Sequence, residues 1–125
     1  MSGDILLYSG AAVAFLWGVA HIIPTRSVVR GFGALSEDNR RIILMEWVAE
    51  GLSLCFVGAL VAAVTLLCGS ETAASAVVYR ASACMLLVMA VWTLATGART
   101  PILPMKICPV VKTTAALLFL AGSIL

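Results

Sequence analysis

The chain has 125 residues, of which 62% are hydrophobic and only 11% are charged. A soluble domain is typically about 25% charged, so this composition excludes an ordinary soluble protein and indicates one membrane-embedded domain. The net charge of +2 is too small to indicate a nucleic-acid-binding protein, and no run of Lys/Arg resembles a phosphate-binding patch.

Four segments are long and apolar enough, or nearly so, to cross a bilayer, which takes roughly 20 apolar residues. The predicted helices span residues 5–23, 42–68, 73–97 and 110–125. The fourth is only about 24 Å long at 1.5 Å per residue, so it is thinly embedded or begins earlier, near Met105. Because the connections are short, the sequence predicts a single all-α membrane domain over residues 1–125, built as an up-down four-helix bundle.

The first predicted helix is interpreted as a retained spanning helix and not as a signal peptide. A secretory signal begins with a positive region, whereas Asp4 precedes this helix and no basic residue does. The helix ends at Pro24 and carries the chain's one histidine, His21, in its last turn. Trp17 lies four residues earlier, on the same helix face as the histidine.

Basic residues are concentrated in two of the predicted loops and near their edges. They are Arg26, Arg30, Arg40, Arg41, Arg99, Lys106 and, just inside the fourth helix, Lys112, against only Arg80 in the second loop region. Because positive loops stay in the cytoplasm, we expect a multi-pass inner-membrane protein with both termini outside. The loop 24–41 is predicted to be a cytoplasmic amphipathic connector that meets anionic headgroups, with a lid over a site as the alternative.

The second predicted helix carries two glutamates, Glu46 and Glu50, inside an otherwise apolar stretch. Their spacing of four residues puts both carboxylates on one helix face. Glu46 is expected about 7 Å and Glu50 about 13 Å beyond Arg41, so Glu50 falls within the hydrocarbon layer. A charge at that depth costs roughly 2.5–3.5 kcal/mol and is usually aimed at a partner or a cavity. Two close carboxylates there resist simultaneous ionisation, which suits proton exchange.

Other polar and aromatic side chains are predicted at the same depth, in the cytoplasmic leaflet. They are His21, Trp17, Trp47, Trp92, Thr93 and Thr96. We interpret Glu46, Glu50 and His21 as the candidate catalytic, proton-transfer or ligand-binding cluster, and the tryptophans and threonines as candidate ligand-binding residues. Three structural alternatives are left open: an interfacial aromatic belt, a helix cap for His21, and an ion pair between Glu46 and one of Arg40, Arg41 and Lys112.

No metal site is predicted, and no cofactor is indicated. The four cysteines show no CxxC spacing and no clustering with histidine. Motifs of hydrolases, zinc peptidases and nucleotide-binding proteins are missing from the sequence.

Two stretches, FLWGVAHIIPT in the first helix and DNRRIILMEWVAEGLSL leading into the second, prompt a family comparison. With its size and helix number, the chain resembles the DoxX-like group of small four-helix bacterial membrane proteins. That resemblance implies a membrane-embedded bundle, often linked to redox or thiol-stress assemblies, and carries over no site residues. Small multidrug transporters are similar in size, but their key glutamate lies in the first helix, where this chain has none.

Three functions fit these observations. The first is a membrane protein that binds a lipid-like or hydrophobic small molecule at the His/Glu cluster, with proton transfer as an added capacity. The second is an accessory subunit of a larger membrane complex. The third is a proton-coupled small transporter that acts as a homo-oligomer. The sequence leaves open whether the protein is an enzyme.

Overall fold

The computed structural model of the chain describes residues 2–125, and every regular element in that range is helical. The helices are α1 (Ser2–Ile22), α2 (Thr25–Gly31), α3 (Glu37–Cys68), α4 (Ala73–Ala95) and α5 (Leu103–Gly122), with a 3-10 turn over Gly97–Arg99. The predicted domain of residues 1–125 includes Met1, which lies outside the described residues.

Within the described range, α1, α3, α4 and α5 are long and apolar enough to cross a membrane. This confirms the prediction of an all-α protein with four candidate spanning helices, which fits a multi-pass membrane protein. Large apolar side chains such as Leu66 and Val88 are exposed on the surfaces of these helices. Lipid would cover such side chains in a bilayer, where each helix satisfies its own backbone hydrogen bonds.

Helices α3 and α5 begin earlier than the apolar runs that predict them, whereas α4 begins at Ala73, as predicted. α3 begins at Glu37, before Ile42, because Ser36 caps it by accepting a hydrogen bond from the Asn39 backbone N–H at 3.2 Å. α5 begins at Leu103, before Val110, and has 20 residues. Both helices therefore extend beyond their hydrophobic runs at the end that the sequence assigns to the cytoplasm.

Helices α1 and α3 are antiparallel and in close contact. A Cβ added to Gly18 would lie 2.6 Å from the Gly51 carbonyl oxygen, and one added to Gly58 would lie 2.6 Å from that of Ala11. The residue numbers of the contacting positions therefore increase along α1 as they decrease along α3, which shows that the two helices run in opposite directions. Only glycine permits this approach, which is the contact that a stripe of small residues allows in a membrane helix.

The other side of α1 lies against α5, and α5 in turn packs against α4. Phe119 of α5 is fully buried, and its ring sits where a Cβ on Gly10 of α1 would be. The core contains mainly Leu7, Leu54, Val61, Tyr79, Leu86 and Phe119. Helices therefore follow one another around the bundle in the order α3, α1, α5, α4.

Helices α3 and α4 close this ring only loosely. At one end they are joined by a buried 3.0 Å hydrogen bond between the hydroxyl groups of Thr65 and Tyr79. Toward the other end, where α3 begins and α4 ends, a groove separates them. The fold thus leaves one opening along its side, and the polar residues singled out by the sequence lie around it.

Candidate functional site

The groove between α3 and α4 has a polar and an apolar part. The polar part has a volume of about 540 Å³ and includes Glu46, Glu50, Ser53, Thr93, Thr96 and Lys112 in its lining. The apolar part has a volume of about 440 Å³ and is lined by Leu52, Ser53, Phe56, Val57, Met85 and Met89. Ser53 and Met89 border both parts, so the two form one continuous depression. We call this depression the α3/α4 groove.

An ion pair between Glu50 and Lys112 forms the floor of the groove. The ammonium Nζ of Lys112 donates to Oε1 of Glu50 and, at 2.8 Å, to the hydroxyl of Thr93. The lysine side chain is only 1% exposed, whereas that of Glu50 is 32% exposed. Since the three residues come from α3, α4 and α5, the polar contacts join three helices at one point. The positive charge lies inside the protein and the negative charge faces the groove.

His21 lies behind Glu50, at the end of α1. Its side chain is buried, and its Nε2 lies 3.7 Å from Oε2 of Glu50, beyond hydrogen-bond length. Among the described residues, this buried nitrogen has no hydrogen-bond partner. His21, Glu50 and Lys112 therefore form a row of three titratable side chains, with the carboxylate in the middle.

Trp47 fixes the position of His21. The two rings stack with centroids 4.1 Å apart and an angle of 15° between their planes. The indole N–H of Trp47 also donates to the His21 backbone carbonyl at 2.8 Å. This bond uses one of the carbonyls left free at a helix C-terminus. The end of α1 is thereby attached to α3 beside the groove.

Glu46 and Glu50 share a helix face, as their spacing predicts, and both line the groove. Their surroundings differ. Glu46 is exposed and forms no ion pair within residues 2–125. Of the basic residues considered as its partners, Arg41 pairs with Glu37 and Lys112 pairs with Glu50.

The remaining predicted residues divide between the groove and the core. Trp92, Thr93 and Thr96 line the groove, and Trp92 is 71% exposed at its edge. The hydroxyl of Thr96 donates to the Trp92 carbonyl at 2.7 Å. Trp17 lies elsewhere and donates its indole N–H to the sulfur of Cys108 at 3.3 Å. The structure thus gathers all the predicted site residues around the groove except Trp17, with His21 just behind it.

Sequence reasoning missed the role of Lys112. The predicted bounds 110–125 put this lysine just inside the fourth helix, near the membrane surface, and only the alternative start near Met105 puts it deeper. With α5 beginning at Leu103, the lysine is nine residues into the helix, about 14 Å from its start. The apolar run that begins at Ala115, three residues after this lysine, was the available signal of a buried charge that needs a partner.

The described residues contain no group of three His, Cys, Asp or Glu side chains that could hold a metal ion. The four cysteines are free. The groove presents charged groups, hydrogen-bonding groups and apolar surface to a bound molecule.

Comparisons of the chain with protein-family models, with curated proteins and with solved structures find no match. The likeness to the DoxX-like group therefore stays an expectation from the sequence.

Proposed function

We propose that the protein is a small inner-membrane protein, with both termini outside, that binds a lipid-like or hydrophobic small molecule in the α3/α4 groove. The observation that carries the proposal is the groove itself, which opens sideways between two long apolar helices and has an ion pair at its floor. A molecule dissolved in the bilayer would reach such a groove without passing through water. Its apolar part would contact Leu52, Phe56 and Met85, and its polar part would meet Glu50.

The exposure of Glu50 favours a binding role over a purely structural one. A buried ion pair can often be replaced by apolar residues without loss of stability, so stability alone gives little reason to keep one. A pair that served only to join helices would bury both partners. Here the carboxylate keeps about a third of its surface in the groove, where a ligand can reach it.

Proton transfer is the second part of the proposal. Glu50 lies between Lys112, which donates to one of its oxygens, and His21, which lies 3.7 Å from the other. The ionised carboxylate can accept a proton from a ligand and, once protonated, can return that proton without a large movement of the chain. Glu50 is thus the residue that we assign to acid–base exchange with the bound molecule.

Native mass spectrometry of the protein, extracted gently from its own membrane, tests the binding function. We expect a monomer or homo-oligomer that retains a small-molecule mass. Ser53 borders both parts of the groove and is exposed, so Ser53→Trp should fill the groove and remove that mass without replacing either residue of the ion pair. Ser53→Ala is the matched control and should retain it.

Two results would contradict the proposal. One is a retained mass that Ser53→Trp does not displace, because the molecule would then bind elsewhere. The other is a complex of unlike chains that contains no small molecule, which would favour the accessory-subunit function.

A further inference from the structure

The geometry of the groove points to the chemical class of its ligand, which we infer to be a single-chain amphiphile with a cationic, amine-type head group. This inference rests on the proposed binding function and goes one step further, from a hydrophobic molecule to the sign of its charge.

The charges that a ligand would meet are negative. Glu46 and Glu50 both line the groove, and both expose part of their side chains. The compensating cation, Lys112, is 1% exposed and already donates to Glu50 and Thr93. An anionic head group in the groove would therefore meet two carboxylates before it could approach the ammonium. A cation would meet the carboxylates directly.

Most hydrogen-bond acceptor sites on the two carboxylates of the groove are also left without a donor. A carboxylate has about four lone-pair sites, and Lys112 occupies one of those on Glu50. The other oxygen of Glu50, Oε2, lies 3.7 Å from Nε2 of His21, which is too far for a hydrogen bond. Glu46 has no ion-pair partner in the described part of the chain. An ammonium group supplies N–H donors to both residues, one helix turn apart.

Aromatic side chains in the same lining favour the same class of head group. Trp47 and Trp92 both border the polar part of the groove. Indole is the aromatic group that attracts cations most strongly, and the attraction increases where water is excluded. The carboxylates and the indoles around this groove thus both favour a positively charged ligand.

The apolar part of the groove sets the length of the chain that the head group carries. Glu46 and Phe56 are ten residues apart on α3, or about 15 Å. This is half of the roughly 30 Å hydrocarbon core, or one leaflet. A single alkyl chain directed toward Phe56 and Met85 fits that length. A zwitterionic phospholipid fits less well, because its phosphate would lie beside the two carboxylates.

Equilibrium binding to the full chain in phosphatidylcholine nanodiscs tests the inference, with empty nanodiscs used to subtract partition into the bilayer. The probes are radiolabelled dodecylammonium and dodecanoate, which have the same chain length and opposite charges. We expect saturable binding of dodecylammonium at least tenfold tighter than that of dodecanoate. Ser53→Trp should abolish it.

The decisive variant is Glu46→Gln, because this residue has no ion-pair partner and its replacement should leave the fold intact. It should weaken dodecylammonium binding roughly tenfold, as expected for loss of one charged hydrogen bond. The matched control is Glu71→Gln, which removes the same charge beyond the other end of α3 and should leave binding unchanged. Equal weakening by both variants would overturn the inference, because it would then reflect net charge and not the groove.

The remaining outcomes separate this inference from the proposed function. Equal binding of the two probes, abolished by Ser53→Trp, would keep the groove as a binding site and overturn the cationic class. If dodecylammonium does not bind saturably, the cationic class is overturned. The proposed function is tested separately, by the small-molecule mass that the native protein retains. Displacement of dodecylammonium by phosphatidylethanolamine in the nanodisc would overturn the single-chain class and assign the groove to a bilayer lipid.

Discussion

Helix α3 has two very different neighbours. Against α1 it presents Gly51 and Gly58, and the backbones come so close that no Cβ fits between them. Against α4 it presents Glu46, Glu50 and Ser53, and a groove separates the two helices. In a bilayer, helices gain little from hiding apolar surface from one another, so contact depends on how closely the backbones can approach. Glycines allow the close contact between α3 and α1, and polar side chains line the groove where α3 and α4 stay apart.

The largest effect is expected from a large side chain placed in the tight contact between α1 and α3. Gly58→Leu would place a side chain where the Ala11 carbonyl oxygen lies 2.6 Å from the new Cβ. Because backbone atoms cannot move aside cheaply, we expect the variant to lose more than about 3 kcal/mol of stability or to fail to fold. Thermal unfolding in a mild detergent, read by circular dichroism, measures this loss. Gly31→Ala is the control, since no atom lies within 4 Å of its Cβ; a comparable loss there would remove the distinction.

The next largest effect is expected at the Glu50–Lys112 ion pair, which forms the floor of the α3/α4 groove. Glu50→Gln leaves the 1% exposed Lys112 without its counter-charge and should cost roughly 3–5 kcal/mol. Lys112→Met should cost less, because the carboxylate left behind is 32% exposed and can recruit water or a cationic ligand. The double variant should be more stable than Glu50→Gln alone. Additive losses in the same unfolding assay would mean that the two charges act independently.

The smallest effect concerns the attachment of α1 beside the groove. Trp47→Phe keeps an aromatic ring over His21 but removes the indole N–H that bonds to the His21 carbonyl. We expect a loss of about 1 kcal/mol, the usual net value of one hydrogen bond. Trp92→Phe, at a position that is 71% exposed, should change stability by less than about 0.5 kcal/mol. Equal losses in denaturant titrations would show that the hydrogen bond contributes nothing beyond ring contact.

The four long helices could be predicted from the sequence because the thickness of a bilayer sets a minimum length for an apolar run. The shared face of Glu46 and Glu50 could also be predicted, because it follows from helix geometry alone. The ion-pair partner of Glu50 could not be predicted from the sequence. Lys112 pairs with Glu50 only because α5 lies next to α4 and across from α3, and no local pattern encodes that order.

The depth of Lys112 was misjudged for a related reason. Lys106 and Pro109 interrupt the apolar run, so the hydropathy pattern begins only at Val110, whereas the helix begins at Leu103. Proline is tolerated within a membrane helix when neighbouring groups satisfy the backbone. The stacking of His21 on Trp47 was equally invisible, because it depends on the contact between α1 and α3 and not on the spacing within either helix.

The three tryptophans described above also allow binding in the groove to be followed by intrinsic fluorescence, without a label. Trp17 donates to a thiol in the interior, and Trp47 is stacked on an imidazole. Trp92 borders the groove and exposes most of its surface to the surrounding medium. The intrinsic fluorescence is therefore the sum of three indoles in different surroundings, of which Trp92 is the most exposed and so the most open to quenchers dissolved in the acyl chains. An occupant of the groove that shields this indole would be registered as protection from a brominated lipid in the unmodified protein.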